Sequence, residues 1–254
     1  VILLHGWTVT ADLNWYQCYE ALGHHFRVVA MDHRGHGRGI RSRRPFRLED
    51  CADDVAALAQ ALGLGPAILV GYSMGGPVAL LTWRRHPGLV AGMALCATAA
   101  RFSRQDPSER LFYSSLLGLS VAARLAPDIV RRPLATAFAR RRVEGLPLSD
   151  WLTEELVSGD PAAVLQAGSA IGSFDARSWL PQVNVPTAVV VTASDTVVSP
   201  RRQRALALAI PGASLHEVHG DHGACVSDPE RFVPVLVEAC LSVARQAGGT
   251  GTRR

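Results

Sequence analysis

The segment Gly71-Tyr72-Ser73-Met74-Gly75 sets a serine two residues from a glycine on either side. It lies between the apolar run Ala67-Ile68-Leu69-Val70 and a helical pattern opening at Met74. This is the G-x-S-x-G pattern in a strand–turn–helix setting. The spacing has a steric reason. A turn sharp enough to lift a hydroxyl clear of a sheet edge brings the residues two before and two after it into close approach, where glycine fits. Such a hydroxyl is a weak nucleophile until a base takes its proton, and the base needs an acid to orient it. Asp195 follows the apolar run 187–192 and projects from that run's C-terminal end, and no Asp or Glu closely follows the run ending at Cys96. For the base, His216, His219 and His222 lie within seven residues. His216 falls inside a strand, whereas His219 and His222 share a loop that Gly220 and Gly223 allow to approach the serine. Between those two, His222 is preferred because it lies just ahead of the helix opening at Pro229. Asp221 is assigned to the loop.

A serine attacking an acyl carbon creates an oxyanion, which two preorganised N–H groups must meet. The backbone amide of Met74, next after the nucleophile, is one. Trp7, in His5-Gly6-Trp7 at the end of the first apolar run, is placed to give the other, with Gly6 permitting close approach and His5 orienting the loop. A thiol alternative, Cys225, has no such frame.

Composition narrows the chemistry further. The chain has no lysine, so all 26 basic residues are arginine, which excludes Schiff-base chemistry and a Walker-type phosphate loop. The five cysteines form no C-x-x-C pair, suggesting neither a disulfide framework nor a zinc site. No cofactor is expected. Arg34, Arg38, Arg41, Arg43, Arg44 and Arg47 crowd one segment, and Arg140-Arg141-Arg142 form a second cluster. A basic loop draws anionic substrates or lipid surfaces; solvated loop charge is the plainer reading. No nucleic-acid motif accompanies it. No apolar run is long enough to cross a bilayer and the start lacks a signal-peptide pattern, so a cytoplasmic protein is expected.

With 254 residues, 48% of them hydrophobic, the chain can bury a full core. Apolar runs at 1–4, 26–31, 67–70, 90–96, 186–191 and 213–218 read as strands. Helical patterns at 13–22, 48–62, 74–85, 200–209 and 229–244 separate or follow them. Repeated strand–helix–strand units imply a parallel sheet with helices on both faces. From 101 to 179 strands disappear and helices take over at 108–124, 127–142, 149–157 and 160–171. The expected organisation is an α/β core of residues 1–100 and 180–245, a helical insertion at 101–179 and a disordered tail at 246–254.

Taken together, the chain resembles the α/β-hydrolase superfamily along nearly all of its length. The resemblance rests on the extended elbow Gly-Tyr-Ser-Met-Gly-Gly, on His5-Gly6, and on Asp32-His33-Arg34-Gly35-His36-Gly37. It rests also on Val185-Pro186-Thr187 ahead of the acid, and on His222 seven residues ahead of Pro229. It implies an eight-stranded sheet with a helical lid after the sixth family strand, here 101–179, and a structural turn at Asp32 and Arg34. Two family strands normally precede the one that opens this chain, so an N-terminal segment is expected to be missing, leaving 26–31 at a sheet edge. The implied activity is hydrolysis of a carboxylic ester of a small molecule by Ser73, His222 and Asp195. Perhydrolases and carbon–carbon bond hydrolases of the superfamily use the same triad, and hydrolase-like receptors bind without turnover. Leu111, Phe112, Leu116, Leu117 and Phe138 are candidate pocket walls.

Overall fold

Short aliphatic and β-branched runs form six parallel strands among the residues that the computed structural model describes, 1–103, 107–144 and 148–249. In chain order these are β1 (Ile2–Leu4), β2 (Val29–Met31), β3 (Ala67–Tyr72), β4 (Val90–Cys96), β5 (Thr187–Thr192) and β6 (Ser214–Val218). They lie in the order β2-β1-β3-β4-β5-β6. The chain leaves β1 for the β2 edge and then returns to the other side of β1 for β3. That reversal opens a crevice beyond the C-terminal ends of β1 and β3, the usual ligand position in such sheets. Leu4 pairs in register with Gly71, so residues 5–7 emerge beside residues 72–74.

Central strands are apolar on both sides because helices cover both sheet faces. Leu4, Leu69, Met93, Leu95 and Val189 face one core with α3 (Leu48–Ala61), α4 (Gly75–Arg85) and α9 (Pro200–Ala209). Leu3, Val70, Ala94, Cys96 and Val190 face the other, with α1 (Ala11–Trp15), α2 (Tyr19–Gly23) and α11 (Pro229–Gly249). All five cysteines are free and buried.

Between β4 and β5 the described residues form four α-helices: α5 (Pro107–Leu125), α6 (Asp128–Val143), α7 (Ser149–Val157) and α8 (Pro161–Ser173). Asp160 caps α8, its Oδ1 accepting from the N–H groups of Ala162 and Ala163 at 2.9 and 3.4 Å, with proline at the first helical position. The two ends of this segment meet, since Ala176 N–H donates to Ala100 O at 2.8 Å and Arg101 bridges Asp175.

Several expected elements differ. The helix expected over 13–22 is two short ones, because Thr10 caps a start at Ala11 and Cys18 N–H bonds Trp15 O in a tight i−3 turn. The strand expected over 26–31 keeps only Val29–Met31; Phe26 N–H still bonds Leu22 O as the chain leaves α2. A short helix, α10 (Ala224–Ser227), was not expected. The last helix continues to Gly249, since nothing from Arg245 to Ala247 breaks it. Residues 246–249 are therefore helical, whereas residues 250–254 of the expected disordered tail lie outside the described residues. The side chains of Phe138 and Arg142 lie outside them too.

Candidate active site

At the end of β3 the backbone turns so sharply that Ser73 takes φ +50°, a left-handed conformation costing a non-glycine residue about 1–3 kcal/mol. Neighbouring contacts hold it there. Ser73 N–H donates to Cys96 O at 2.9 Å, and the Thr98 hydroxyl donates to Ser73 O at 2.7 Å. The flanking glycines are required by contact: a Cβ on Gly71 would overlap the Gly75 carbonyl, and one on Gly75 would overlap the Leu4 carbonyl. The elbow therefore fits between β1 and β4 only with bare backbone.

Ser73, His222 and Asp195 come together from β3, the loop after β6 and the loop after β5. His222 Nε2 lies 3.0 Å from Ser73 Oγ, and His222 Nδ1 lies 2.7 Å from Asp195 Oδ2. With Nδ1–H donating to the carboxylate, Nε2 is left to accept from the serine. Asp195 is buried and its Oδ1 accepts from the N–H groups of Val197 and Val198, both at 2.8 Å. Oδ2 is met by the Thr192 hydroxyl at 2.8 Å and by Gln203 Nε2 at 3.1 Å. Burial alone would push this carboxyl up. Hydrogen bonding and charge from His222, the Val198 N–H and the Thr192 hydroxyl outweigh it and hold the carboxyl below its ordinary range. The Tyr72 hydroxyl donates to His222 O at 2.8 Å, which anchors the histidine loop.

Over the serine lies the loop from β1. Gly6 N–H donates to Asn14 Oδ1 at 2.8 Å, while His5 Nδ1 lies 2.7 Å from Gly6 O. His5 Nε2 accepts from His33 N–H at 2.9 Å, so its Nδ1 must carry the proton and donate. Burial pulls the His5 pKa down to about 4, and the ring stays neutral. Because the Gly6–Trp7 peptide is planar and trans, fixing its carbonyl toward His5 turns the Trp7 N–H the opposite way. Neither the Trp7 nor the Met74 backbone N–H has a hydrogen-bond acceptor among the described residues. The Trp7 ring reaches across to α8, its Nε1 donating to Val164 O at 2.6 Å.

A cavity of about 310 Å³ opens above Ser73 and His222, walled by Val9, Leu13, Leu152, Leu156 and Val226 among others. Leu152 and Leu156 come from α7, one helical turn apart. The pocket walls expected from the sequence lie elsewhere. Leu111, Phe112 and Leu117 are exposed, Leu116 is buried toward α8, and none of the four lines this cavity. His219 is not bonded to Ser73, and His216 sits in β6 beside Ser214. The Cys225 thiol borders the cavity, but burial pushes it up to about 12, far from a thiolate.

Sequence reasoning missed Asn14, Thr192, Gln203 and Tyr72. Asn14 and Gln203 are buried polar groups, and neither that burial nor the partner that offsets it is written in the local sequence. Asp32 is the turn it was expected to be: Oδ1 accepts from Ala11 N–H and Oδ2 from Arg38 N–H, each at 2.7 Å. Arg34 is held by Asp50 and Asp54, Arg38 by Asp12 and Glu155, and Arg41 by the carbonyls of Gly37 and Ser158. Arg47 pairs with Glu49 at 3.6 Å, so four of the six arginines of the segment are partnered and not free loop charge. Among the described residues no group of three or more His, Cys, Asp or Glu side chains is arranged to hold a metal ion, and no helix is long and apolar enough to cross a membrane.

A family model described as alpha/beta hydrolase fold matches residues 1–229. A putative carbamate hydrolase, RutD, of Caulobacter vibrioides is 28% identical over 251 residues, covering 93% of this chain and 88% of its own. A pimeloyl-[acyl-carrier protein] methyl ester esterase of Neisseria meningitidis is 29% identical, covering 98% and 79%. Among solved structures, the enol-lactonase of Burkholderia xenovorans superposes with a TM-score of 0.78 at 27% identity, covering 94% and 90%.

Proposed function

The chain belongs to the alpha/beta hydrolase family, and from that premise we propose that it hydrolyses a carboxylic ester, or a related acyl bond, of a small molecule through an acyl-Ser73 intermediate. Ser73 Oγ attacks the acyl carbon as His222 Nε2 takes its proton. The oxyanion is met by the N–H groups of Trp7 and Met74. His222 returns the proton to the leaving oxygen, and Asp195 holds the imidazole in its tautomer and offsets the charge it gains. Water then attacks the acyl carbon with His222 again as base, releasing the acid and restoring Ser73.

The observation that carries this reading is the hydrogen-bonded series from Ser73 Oγ to His222 to Asp195, at 3.0 and 2.7 Å. The relatives' names support the acyl class, since carbamate, methyl ester and enol-lactone cleavage each break a bond to an acyl carbon. The cavity supports an uncharged acyl group of modest size. Its walls are mainly apolar, and about 310 Å³ stands at the small end for ligand sites. On this reading residues 101–179 act as a lid, contributing Leu152 and Leu156 to the acyl wall.

Labelling with a fluorophosphonate probe followed by peptide mapping tests the nucleophile, and nitrophenyl esters of graded chain length test the reaction. Label is expected on Ser73, and Ser73→Ala should lose turnover by a factor on the order of 10⁴ or more. Label on another residue, or unchanged turnover in the variant, overturns the proposal. Peracid formation from acetate and peroxide outpacing ester turnover would keep the nucleophile but change the reaction.

A further inference from the structure

The outer face of α5 is apolar where a helix on a protein surface is ordinarily polar. Leu116 and Ser120 are buried beneath it, yet Leu111, Phe112, Leu117, Leu119, Val121 and Leu125 are all exposed, Leu111 by 70% and Leu125 by 80%. Ile129, at the start of α6, is 84% exposed. Helical spacing places Leu111, Gly118 and Leu125 in one row along the crest, seven residues apart. Arg110, Leu117 and Arg124 form the adjoining row. Single exposed leucines need no explanation, but a contiguous ridge of them marks a contact surface.

Charge on this side of the molecule identifies what fits. Helix α5 carries Arg110 and Arg124 against one acid, Glu109, and residues 40–47 carry four arginines and no acid. The net charge of the whole chain is only +4, so its excess of positive charge lies here. The only acidic residue of α5, Glu109, is turned toward Arg202 at 3.5 Å. Arg124 reaches the Arg43 carbonyl at 3.4 Å, which joins the basic 40–47 loop to the C-terminal half of the ridge. Arg43, Arg44 and Arg110 are exposed and make no ion pair among the described residues. The ridge is convex, and none of the described cavities is lined by an α5 residue.

We propose that α5 is a peripheral membrane-docking helix whose ridge of Leu111, Val121 and Leu125 enters the interface of an anionic phospholipid bilayer, with Arg43, Arg44, Arg110 and Arg124 at the headgroups. A convex apolar crest bordered by guanidinium groups matches an interfacial helix lying on a bilayer. The juxtaposed cations supply the attraction to anionic lipid that a single amphipathic helix needs. No described helix is long and apolar enough to cross a membrane, so the helix rests on the surface and does not span it. The surface is separate from Ser73, and the proposal does not depend on turnover.

The full chain carrying Ser73→Ala is spun with large vesicles of phosphatidylcholine alone and of equal parts phosphatidylcholine and phosphatidylglycerol, at low and high salt. Binding to the anionic vesicles at low salt is expected, weakening with salt. Leu111→Ser with Leu125→Ser should weaken it roughly tenfold or more, and Arg110→Gln with Arg124→Gln should weaken it by a comparable factor. Both pairs lie on exposed positions, and unchanged circular dichroism verifies the fold. Absence of binding to anionic vesicles overturns the proposal, as does binding indifferent to the leucine pair. Binding that depends on the arginines alone is adsorption of charge without entry of the ridge. A dimer in sedimentation velocity that the leucine pair dissolves, without vesicle binding, assigns the ridge to a second copy of this chain. Either result rejects the proposed entry of the ridge into the bilayer interface.

Discussion

Asp195 is fixed from both sides, and that decides what an isosteric change would do. Its Oδ1 accepts two backbone N–H groups, while Oδ2 receives His222 along with Thr192 and Gln203. In Asp195→Asn the single amide oxygen settles against the two backbone donors, and the NH₂ group faces His222 Nδ1. The imidazole then carries its proton on Nε2 and cannot accept from Ser73. We expect kcat on a nitrophenyl ester to fall about 10⁴-fold with unchanged circular dichroism; a loss under tenfold would mean the carboxylate does not set the tautomer. The same contrast governs what was legible in the sequence. Ser73, Asp195 and His222, which the structure brings within hydrogen-bonding distance, could be picked out because the expected pattern sets each of them after a strand, and chain order left few candidates. Asn14 and Gln203 could not, because an amide's role depends on which backbone group it meets across the fold. Nothing within eight residues of Asn14 announces that it will bind Gly6.

At the level of elements, α7 links the arginine-rich turn to the cavity. Leu152 and Leu156 line the space above Ser73, and Glu155 lies between them, buried, accepting from the Thr10 hydroxyl and from Arg38 at 3.3 Å. Thr10 also caps α1, whose Leu13 forms the opposite wall. Glu155 therefore ties two walls of the cavity together without lining it. Glu155→Ala should raise KM for longer acyl chains several-fold more than for acetyl esters, with kcat on the acetyl ester little changed. A uniform loss of kcat across all chain lengths would instead indicate general unfolding of the site. Buried central strands such as β4 were readable to the residue, because continuous apolar runs bounded by turn residues have few alternatives. The Ser73 wall was not. Its residues come from a nine-residue helix with no stronger apolar signal than its neighbours, while α5, richer in leucine and phenylalanine, faces outward. Periodicity reports that a face is apolar, not what it will meet.

For the molecule as a whole, three imidazoles clustered at the 32–40 turn tie stability to pH. The ring centroid of His5 lies 4.3 Å from that of His33 and 5.3 Å from that of His36. All three are fully or almost fully buried, and neither ring nitrogen of His33 has a hydrogen-bond partner among the described residues. Burial pulls His5 down to about 4 and His36 to about 3, and pulls His33 well below its ordinary value, with the neighbouring rings adding to the effect on His33 and His36. In the unfolded chain each takes up a proton near pH 6.5. Above that pH neither state holds these protons and their contribution is constant. Below it the unfolded state gains three protons that the native state refuses, so stability falls until the native rings themselves titrate near 4 and 3. Each site contributes about 1.4 kcal/mol per pH unit, or on the order of 4 kcal/mol per unit for the three, against a total stability of about 5–15 kcal/mol. Asp53, Asp175 and Asp195, all held below the ordinary carboxyl value of 3.8, contribute stability that is lost only at still lower pH. Urea unfolding should therefore show a steep decline between pH 6.5 and 4. His33→Phe, whose ring needs no partner, should remove about a third of that slope. A stability flat from pH 7 to 5, or an unchanged slope in the variant, would show that these rings are protonated in the native protein and that the turn accommodates their charge.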